Sequence, residues 1–189
     1  MDILISGVGG QGTILASKIL ACAYMLDGHN ARTGETIGMS QRGGCVVSHV
    51  RSDANSPYIP LGHADVLLSF ELCEGARNLP FLKKGGAAVV NTARITPLTV
   101  ALGACEYDEP AMRGAITENA DAHFLDAEAI AREVGSTKAV NTVLVGAAYG
   151  LGLLNIKRES LVEAIRMNVA PKFFEMNVKA LEAGIAAVK

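Results

Sequence analysis

Residues 2–12 are Asp2-Ile3-Leu4-Ile5-Ser6-Gly7-Val8-Gly9-Gly10-Gln11-Gly12, a short aliphatic run that ends in a cluster of glycines. The run has the composition of a buried strand, and residues 13–26 carry apolar side chains at helical spacing. Glycine lets backbone N–H groups approach an anion closely, and a helix N-terminus adds about half a positive charge. The stretch therefore predicts a strand, a phosphate-binding glycine turn and a helix.

The same alternation of strand and helix continues along the chain. It predicts strands over residues 65–70, 87–91 and 121–125, and helices over residues 72–82, 127–134, 139–153, 160–168 and 172–188. Residues 30–51 fit the alternation poorly, because glycines interrupt them, and they predict a functional loop that feeds a strand over 45–51. We expect one α/β domain over residues 1–189, a Rossmann-like, doubly wound, mostly parallel sheet with a helical C-terminal segment.

Composition excludes several classes of partner. The formal net charge is -2 and the pI is about 6.1, so no positive field attracts a nucleic-acid backbone. No segment reaches the roughly 20 apolar residues of a membrane span, and no leader precedes the first strand. We expect a cytoplasmic chain without nucleic-acid or membrane partners.

The four cysteines, Cys22, Cys45, Cys73 and Cys105, lie far apart and form no C-x-x-C pair. Their spacing fits neither a zinc site nor an iron–sulfur cluster. We expect reduced, buried thiols. Any redox metal of the system would then belong to another chain.

The glycine motif has the G-x-G-x-x-G spacing that suits a pyrophosphate. A dinucleotide site also needs an acidic residue at the end of a second strand, about 20 residues further on. Glu35 lies near that distance, but Thr33-Gly34-Glu35-Thr36 does not resemble a strand end. A free-standing NAD(P)-dependent oxidoreductase is therefore the weaker hypothesis, and a turn that serves packing alone stays open.

A second motif is Gly38-Met39-Ser40-Gln41-Arg42-Gly43-Gly44, which leads into the strand that holds His49. Arg42 between glycines could present its guanidinium fork to a phosphate or carboxylate. A solvated loop arginine is the plain alternative. We expect His49 to be structural rather than a base.

The C-terminal helix carries an apolar stripe of Phe174, Val178, Leu181 and Ile185. Half of the residues are hydrophobic and only 19% are charged, below the roughly 25% of typical soluble domains. The stripe is expected to pack in the core or against a partner, and part of the surface to be covered in an assembly.

Together these motifs resemble the gamma-type domain of pyruvate and other 2-oxoacid:ferredoxin oxidoreductases. The resemblance rests on the glycine motif, on Gln41-Arg42-Gly43-Gly44, on Val90-Asn91-Thr92 and on Asn141-Thr142 at their spacing, and it covers nearly the whole chain. Within that family the chain is most similar to the short beta subunits of the indolepyruvate type. It departs from the common pattern over residues 31–36, where relatives carry a Ser-Glu-Val-His-like run.

The resemblance implies a division of labour. A large alpha subunit would carry thiamine pyrophosphate and iron–sulfur clusters, decarboxylate an aryl 2-oxoacid such as indolepyruvate and pass electrons to ferredoxin, while coenzyme A takes the acyl group. This chain would hold no metal and no catalytic residue, would be inactive alone and could form a homodimer when isolated. Pyruvate, 2-oxoisovalerate or 2-oxoglutarate as substrate, and a purely structural role, stay open.

The residues expected at a coenzyme A site belong to the two glycine motifs and to the Asn-Thr pair. They are Gly7, Gly9, Gly10, Gln11, Gly12, Thr13, Gln41, Arg42, Gly43, Gly44 and Asn141.

Overall fold

The computed structural model describes residues 1–38, 44–104 and 106–189. In these residues the strands are β1 (Asp2–Val8), β2 (Ala31–Ile37), β3 (Cys45–Ser52), β4 (Ala64–Ser69), β5 (Leu82–Asn91) and β6 (Asp121–Leu125). The helices are α1 (Thr13–Leu26), α2 (Leu72–Asn78), α3 (Leu98–Ala101), α4 (Glu109–Asn119), α5 (Ala127–Glu133), α6 (Val140–Gly150), α7 (Arg158–Asn168) and α8 (Phe174–Ala186). No helix of the described residues is both long and apolar enough to cross a membrane.

The strands form one sheet in the order β2-β3-β1-β4-β5-β6. The pairs β1–β4, β4–β5 and β5–β6 are parallel, whereas β3 is antiparallel to both β1 and β2. The predicted mostly parallel α/β sheet is therefore confirmed, with an antiparallel hairpin at one edge. The carboxyl ends of β1, β4 and β5 lie side by side at one edge of the sheet.

Helices cover both faces of the sheet, as in a doubly wound fold. Neighbouring residues of β1 point to opposite faces: Ile3 and Ile5 belong to the larger core with α1, α6, α7 and α8. Leu4 belongs to the smaller core, which includes Leu72 of α2 and Ile116 of α4. Because both faces are covered, β1 is buried from Ile3 to Val8.

The predicted loop before residue 45 is wrong for residues 31–37, which form the edge strand β2. Pairing with β3 stabilises it, and Tyr58 and Pro57 pack over Gly34, where a side chain would be crowded. The helix predicted over 72–82 ends at Asn78, and β5 begins at Leu82 rather than at residue 87. An irregular register opposite Ala64 and Val66 accommodates these extra strand residues.

Two helices of the larger core touch backbone to backbone. A Cβ on Gly146 of α6 would overlap the Leu181 carbonyl of α8, and a Cβ on Gly184 would overlap the Val143 carbonyl of α6. Of the predicted C-terminal stripe, Leu181 and Ile185 are buried in this contact. Phe174 and Val178 are half-buried.

His49 on β3 is only 4% exposed. Its Nδ1 accepts a hydrogen bond from the backbone N–H of Ile59 at 3.2 Å, and its ring lies edge-on to Tyr58 and Phe81. Burial, helped by the positive charge of Arg51, lowers the pKa of His49. The histidine is thus structural, as expected from the sequence.

Replacing Gly146 or Gly184 by Ala should destabilise the fold by about 1–3 kcal/mol, because the new methyl group forces α6 and α8 apart. Urea unfolding followed by circular dichroism measures the loss. Gly114→Ala on α4 is the matched control, since a Cβ there meets nothing within 4 Å, and it should gain about 0.5–1 kcal/mol. Equal stability of all three variants would contradict the close contact.

The His49 pKa predicts a pH dependence of stability. The folded pKa lies below the unfolded value of about 6.5, so the folded state binds fewer protons and stability falls as the pH drops below that value. His49→Gln keeps an acceptor for Ile59 but cannot titrate. In urea unfolding from about pH 7.5 to pH 5.5 it should lose less stability than the wild type. The exposed His63→Gln should follow the wild type, and an unchanged slope in His49→Gln would refute the assignment.

Candidate functional site

The glycine turn lies at the carboxyl end of β1 and is fixed by backbone hydrogen bonds. The N–H of Gly9 donates to the Gly44 carbonyl at 2.9 Å, and the N–H of Gln11 donates to the Val8 carbonyl at 3.1 Å. Gly12 is the N-cap of α1, with a φ of 87° that disfavours any side chain. The backbone N–H groups of the first helical turn have no partner within the helix.

The side chain of Gln11 folds back under the turn. Its Oε1 accepts from the N–H of Val8 at 2.7 Å, and its Nε2 donates to the Phe70 carbonyl at 2.9 Å. Gly7 lies directly below, where a Cβ would be 2.8 Å from the Gln11 oxygen and 2.9 Å from Thr13 Cγ2. Gln11 thus ties β1 to the end of β4, and its amide is used within the fold.

Asn141, in the first turn of α6, faces the same turn. It is 2% exposed, and its Oδ1 accepts from the N–H of Thr142 at 2.9 Å. This bond fixes the orientation of the amide and leaves Nδ2 towards Gly12, 3.0 Å from where a Cβ would stand. Nδ2 makes no hydrogen bond to a described residue, and the amide borders the cleft above Gly12.

The N-termini of two helices therefore converge on one point. Neither α1 nor α6 has a side-chain cap or an acidic residue in its first turn. Between them lies a cleft of about 650 Å³, whose lining includes Gly10, Gly12, Asn141 and the oppositely charged Lys138 and Glu128. Two helix dipoles, an amide donor and a lysine form a site that suits an anion.

The predicted site residues fall into three groups. Gly9, Gly10, Gln11, Gly12 and Asn141 lie at the turn or the cleft, and Gly44 holds Gly9. Gly7 and the buried Thr13 lie beneath it. Gln41, Arg42 and Gly43 lie outside the described residues. Lys138 also lines the cleft but was not predicted as a site residue. The signal for it in the sequence is its position shortly before Asn141.

The geometry does not support a dinucleotide site of the NAD type. In such a site the second strand lies beside β1, parallel to it, and ends in the acidic residue. Here β3 occupies that place and runs antiparallel to β1. Glu35 lies within the edge strand β2, and its carboxylate accepts from the Ser17 hydroxyl at 3.3 Å.

A second polar cluster closes the other side of this sheet edge. The buried Glu71 carboxylate accepts from the N–H of Glu74 at 2.9 Å, from the Tyr107 hydroxyl at 2.7 Å and from the N–H of Ile95 at 3.3 Å. Burial raises the pKa of Glu74, although Arg77 opposes the shift. Burial and the bond to Glu71 likewise raise the pKa of the Tyr107 hydroxyl.

Among the described residues, no three His, Cys, Asp or Glu side chains are grouped to hold a metal ion. Cys22, Cys45 and Cys73 are free thiols. They are half-buried, so the expectation of fully buried thiols is wrong for these three. Cys105 lies outside the described residues.

The family model of pyruvate ferredoxin/flavodoxin oxidoreductase matches residues 2–187. The indolepyruvate oxidoreductase subunit IorB of Thermococcus kodakarensis is 39% identical, over 100% of this chain and 96% of that protein.

Two solved structures share the fold. The gamma subunit of a keto/oxoacid ferredoxin oxidoreductase from Geobacter sulfurreducens has a TM-score of 0.72 at 26% identity, covering 99% of this chain and 97% of that one. The 2-oxoglutarate:ferredoxin oxidoreductase from Magnetococcus marinus has a TM-score of 0.76 at 24% identity, covering 100% of this chain and 31% of that one. With its glycine turn, its sheet order and this full-length similarity, the chain belongs to the pyruvate ferredoxin/flavodoxin oxidoreductase family, as a small subunit of the gamma type.

Proposed function

We propose that the chain is the small subunit of an indolepyruvate, or aryl 2-oxoacid, ferredoxin oxidoreductase and that its glycine turn helps to hold coenzyme A. A large alpha subunit supplies thiamine pyrophosphate and the iron–sulfur clusters and carries out the oxidative decarboxylation. Ferredoxin accepts the electrons from the complex. The chain alone is inactive and works in the cytoplasm.

The substrate class is supported by the similarity to IorB subunits over nearly the full length of the chain. The IorB subunits of Thermococcus kodakarensis, Pyrococcus horikoshii and Archaeoglobus fulgidus are each 38–39% identical to this chain. The part proposed for coenzyme A rests on one observation: the Nδ2 of Asn141 faces Gly12 at the cleft and makes no hydrogen bond to a described residue. A phosphate oxygen there would accept that hydrogen bond and meet the partial positive charge of two helix N-termini. The Magnetococcus marinus protein was solved with coenzyme A bound.

Gln41, Arg42 and Gly43 belong to the same sequence motif as Gly44, which is hydrogen-bonded to Gly9 in the turn. A guanidinium at residue 42 would complement the backbone donors with a bidentate contact. A purely structural subunit is the competing proposal, because Gln11 and Gly7 show that much of the motif serves packing.

Gly9→Ala tests the cradle. Gly9 is exposed, and among the described residues a Cβ there would meet only the Gly44 carbonyl at 3.7 Å, so the described part of the fold should tolerate it. In the complex assembled with the large subunit, the Michaelis constant for coenzyme A should rise while that for indolepyruvate stays unchanged. Arg42→Ala should remove about 1.5–3 kcal/mol of binding free energy for coenzyme A, which corresponds to a tenfold to hundredfold rise in its Michaelis constant. Arg42→Lys should recover only part of it.

Gly114→Ala is the control, because it adds the same methyl group on α4, remote from the turn. Gel filtration must first show that each variant complex assembles. If Gly9→Ala and Arg42→Ala assemble normally and both Michaelis constants keep their wild-type values, the turn only packs, and the structural proposal replaces this one.

A further inference from the structure

The outer edge of β2 has no partner strand among the described residues, because β2 ends the sheet and pairs there with β3 alone. The N–H of Asp53 donates to the Asn30 carbonyl at 2.7 Å, and the N–H of Gly38 donates to the Cys45 carbonyl at 2.8 Å. Both pairs continue the β2–β3 register, and hydrogen-bonded pairs alternate along an antiparallel ladder. Even-numbered residues of β2 therefore bond to β3, and the backbone groups of residues 31, 33, 35 and 37 face outwards.

Three common devices that protect an edge strand are absent from β2. Proline, lysine and bulges discourage pairing with another chain. The strand Ala31–Ile37 contains neither proline nor lysine, and its pairing with β3 shows no register shift. Seven residues of regular edge thus form a template on which a further strand can add.

The outward-facing residues of β2 point their side chains to the α1 side of the sheet. The Glu35 carboxylate accepts a hydrogen bond from Ser17 of α1, and Ile37, which follows the same alternation, is 61% exposed. Two more of these residues border a cleft of about 360 Å³. Its lining includes Ala31 and Thr33 of β2, Lys18 and Met25 of α1, and Met167 of α7.

We propose that β2 pairs antiparallel with β2 of a second copy of this chain across a two-fold axis, so that two sheets join into one. This goes beyond the proposed function, because it assigns the surface at which two small subunits meet. Residues directly opposite each other must point to the same face of a sheet. The axis therefore passes through a residue position and not between two, and Thr33, Gly34 and Glu35 are the central candidates.

The register centred on Gly34 fits the chain best. It pairs all seven residues of β2, with Ala31 opposite Ile37 and Thr33 opposite Glu35 of the second copy. An axis at Glu35 would place two carboxylates directly opposite each other, which destabilises a strand pair. An axis at Thr33 would leave Ile37 opposite residue 29, beyond the end of the strand.

The contact at each end of this strand pair is apolar. Opposite side chains on one face lie about 4.5–5.5 Å apart at Cβ, so Ile37 of one copy reaches Ala31 of the other. There it covers the cleft that holds Met25 and Met167, which are 57% and 63% exposed. The contact removes apolar surface from water and occurs twice because of the two-fold axis.

The middle of the strand pair is polar on one face and aromatic on the other. Glu35 of one copy lies opposite Thr33 of the other, which shares its cleft with the exposed Lys18. Opposite charges therefore approach each other across the interface. On the other face Tyr58 packs on Gly34 and is 53% exposed, so the two tyrosine rings meet at the axis.

Sedimentation of the full chain over a range of concentrations tests the pairing, and the wild type should form a concentration-dependent dimer. Thr33→Pro removes an outward-facing N–H that β3 does not use, so β2 should still form while the dissociation constant of the dimer rises about tenfold or more. Ile37→Lys should raise it similarly, because it removes the apolar contact and places a charge at the edge. The control is Leu102→Lys, at a residue that is 74% exposed in the loop after α3, and it should keep the wild-type constant.

Cysteine cross-linking tests the register. Arg32 lies opposite Thr36 of the second copy in a pair without mutual hydrogen bonds, where the Cα atoms are about 4.5 Å apart, within the reach of a disulfide. Chains with Arg32→Cys and chains with Thr36→Cys are mixed and oxidised by air. A disulfide between residues 32 and 36 should appear only in the mixture, since neither residue lies opposite its own copy. Mass spectrometry of the linked peptides identifies the bond.

A wild-type chain that stays monomeric at every concentration overturns the proposal. Circular dichroism must show that each variant is folded, and Ile37→Lys, a change on the surface, keeps the test valid if Thr33→Pro does not fold. A dimer that both variants leave unchanged has its interface elsewhere, which also refutes the pairing. If the variants keep self-association but no longer assemble with the large subunit, the edge pairs with that subunit and the proposal fails. A disulfide between two copies of Arg32→Cys would refute the register.

Discussion

The hydrogen bonds accepted by the Phe70 carbonyl hold together the edge of the sheet where its parallel strands end. This carbonyl accepts hydrogen bonds from the side-chain amides of Gln11, at 2.9 Å, and Asn91, at 3.1 Å. The Asn91 oxygen in turn accepts from the N–H of Ala127, the first residue of α5, at 3.0 Å. The carboxyl ends of β1, β4, β5 and β6 are thus joined by the neutral amides of Gln11 and Asn91, which hold the glycine turn in place.

The two sides of this edge differ in electrostatic character. On the side of α2, the Glu71 carboxylate accepts three hydrogen bonds, two of which come from Ile95 and Tyr107 in the loops that cover this side. That side therefore carries a negative charge whose hydrogen bonds are made within the fold. On the side of α1 and α6, the helix N-termini lack acidic residues and open onto a cleft. The backbone and amide donors of the open side therefore suit an anion better than the Glu71 side does.

The sequence predicted the elements whose bounds are set by residues close to one another in the chain. The bounds of α1 follow from the glycine turn and the apolar spacing of residues 13–26. Helix α4 was missed although Asp108 caps it through the N–H of Ala111 and Pro110 lies in its first turn, signals that a search for helix starts would find. Strand β2 could not be predicted, because its pairing with β3 and the packing of Tyr58 on Gly34 are long-range.

The site was also hard to predict where its contacts are long-range. Gln11 was predicted as a ligand contact, and only its hydrogen bond to the distant Phe70 carbonyl shows that its amide is occupied.

The position of Asn141 depends on a contact far from the turn. Because Gly146 and Gly184 carry no side chains, α6 lies against α8 closely enough for the Thr142 hydroxyl to donate to Asn177 Oδ1 at 2.7 Å. Asn177 Nδ2 then donates to the Phe173 carbonyl at 2.9 Å, which links the N-terminus of α6 to the turn before α8. The backbone of Phe173 and the amide of Asn141 are therefore placed by one helix pair. A shift of α8 would move the Asn141 amide, so the core contact sets the position of that donor at the glycine turn.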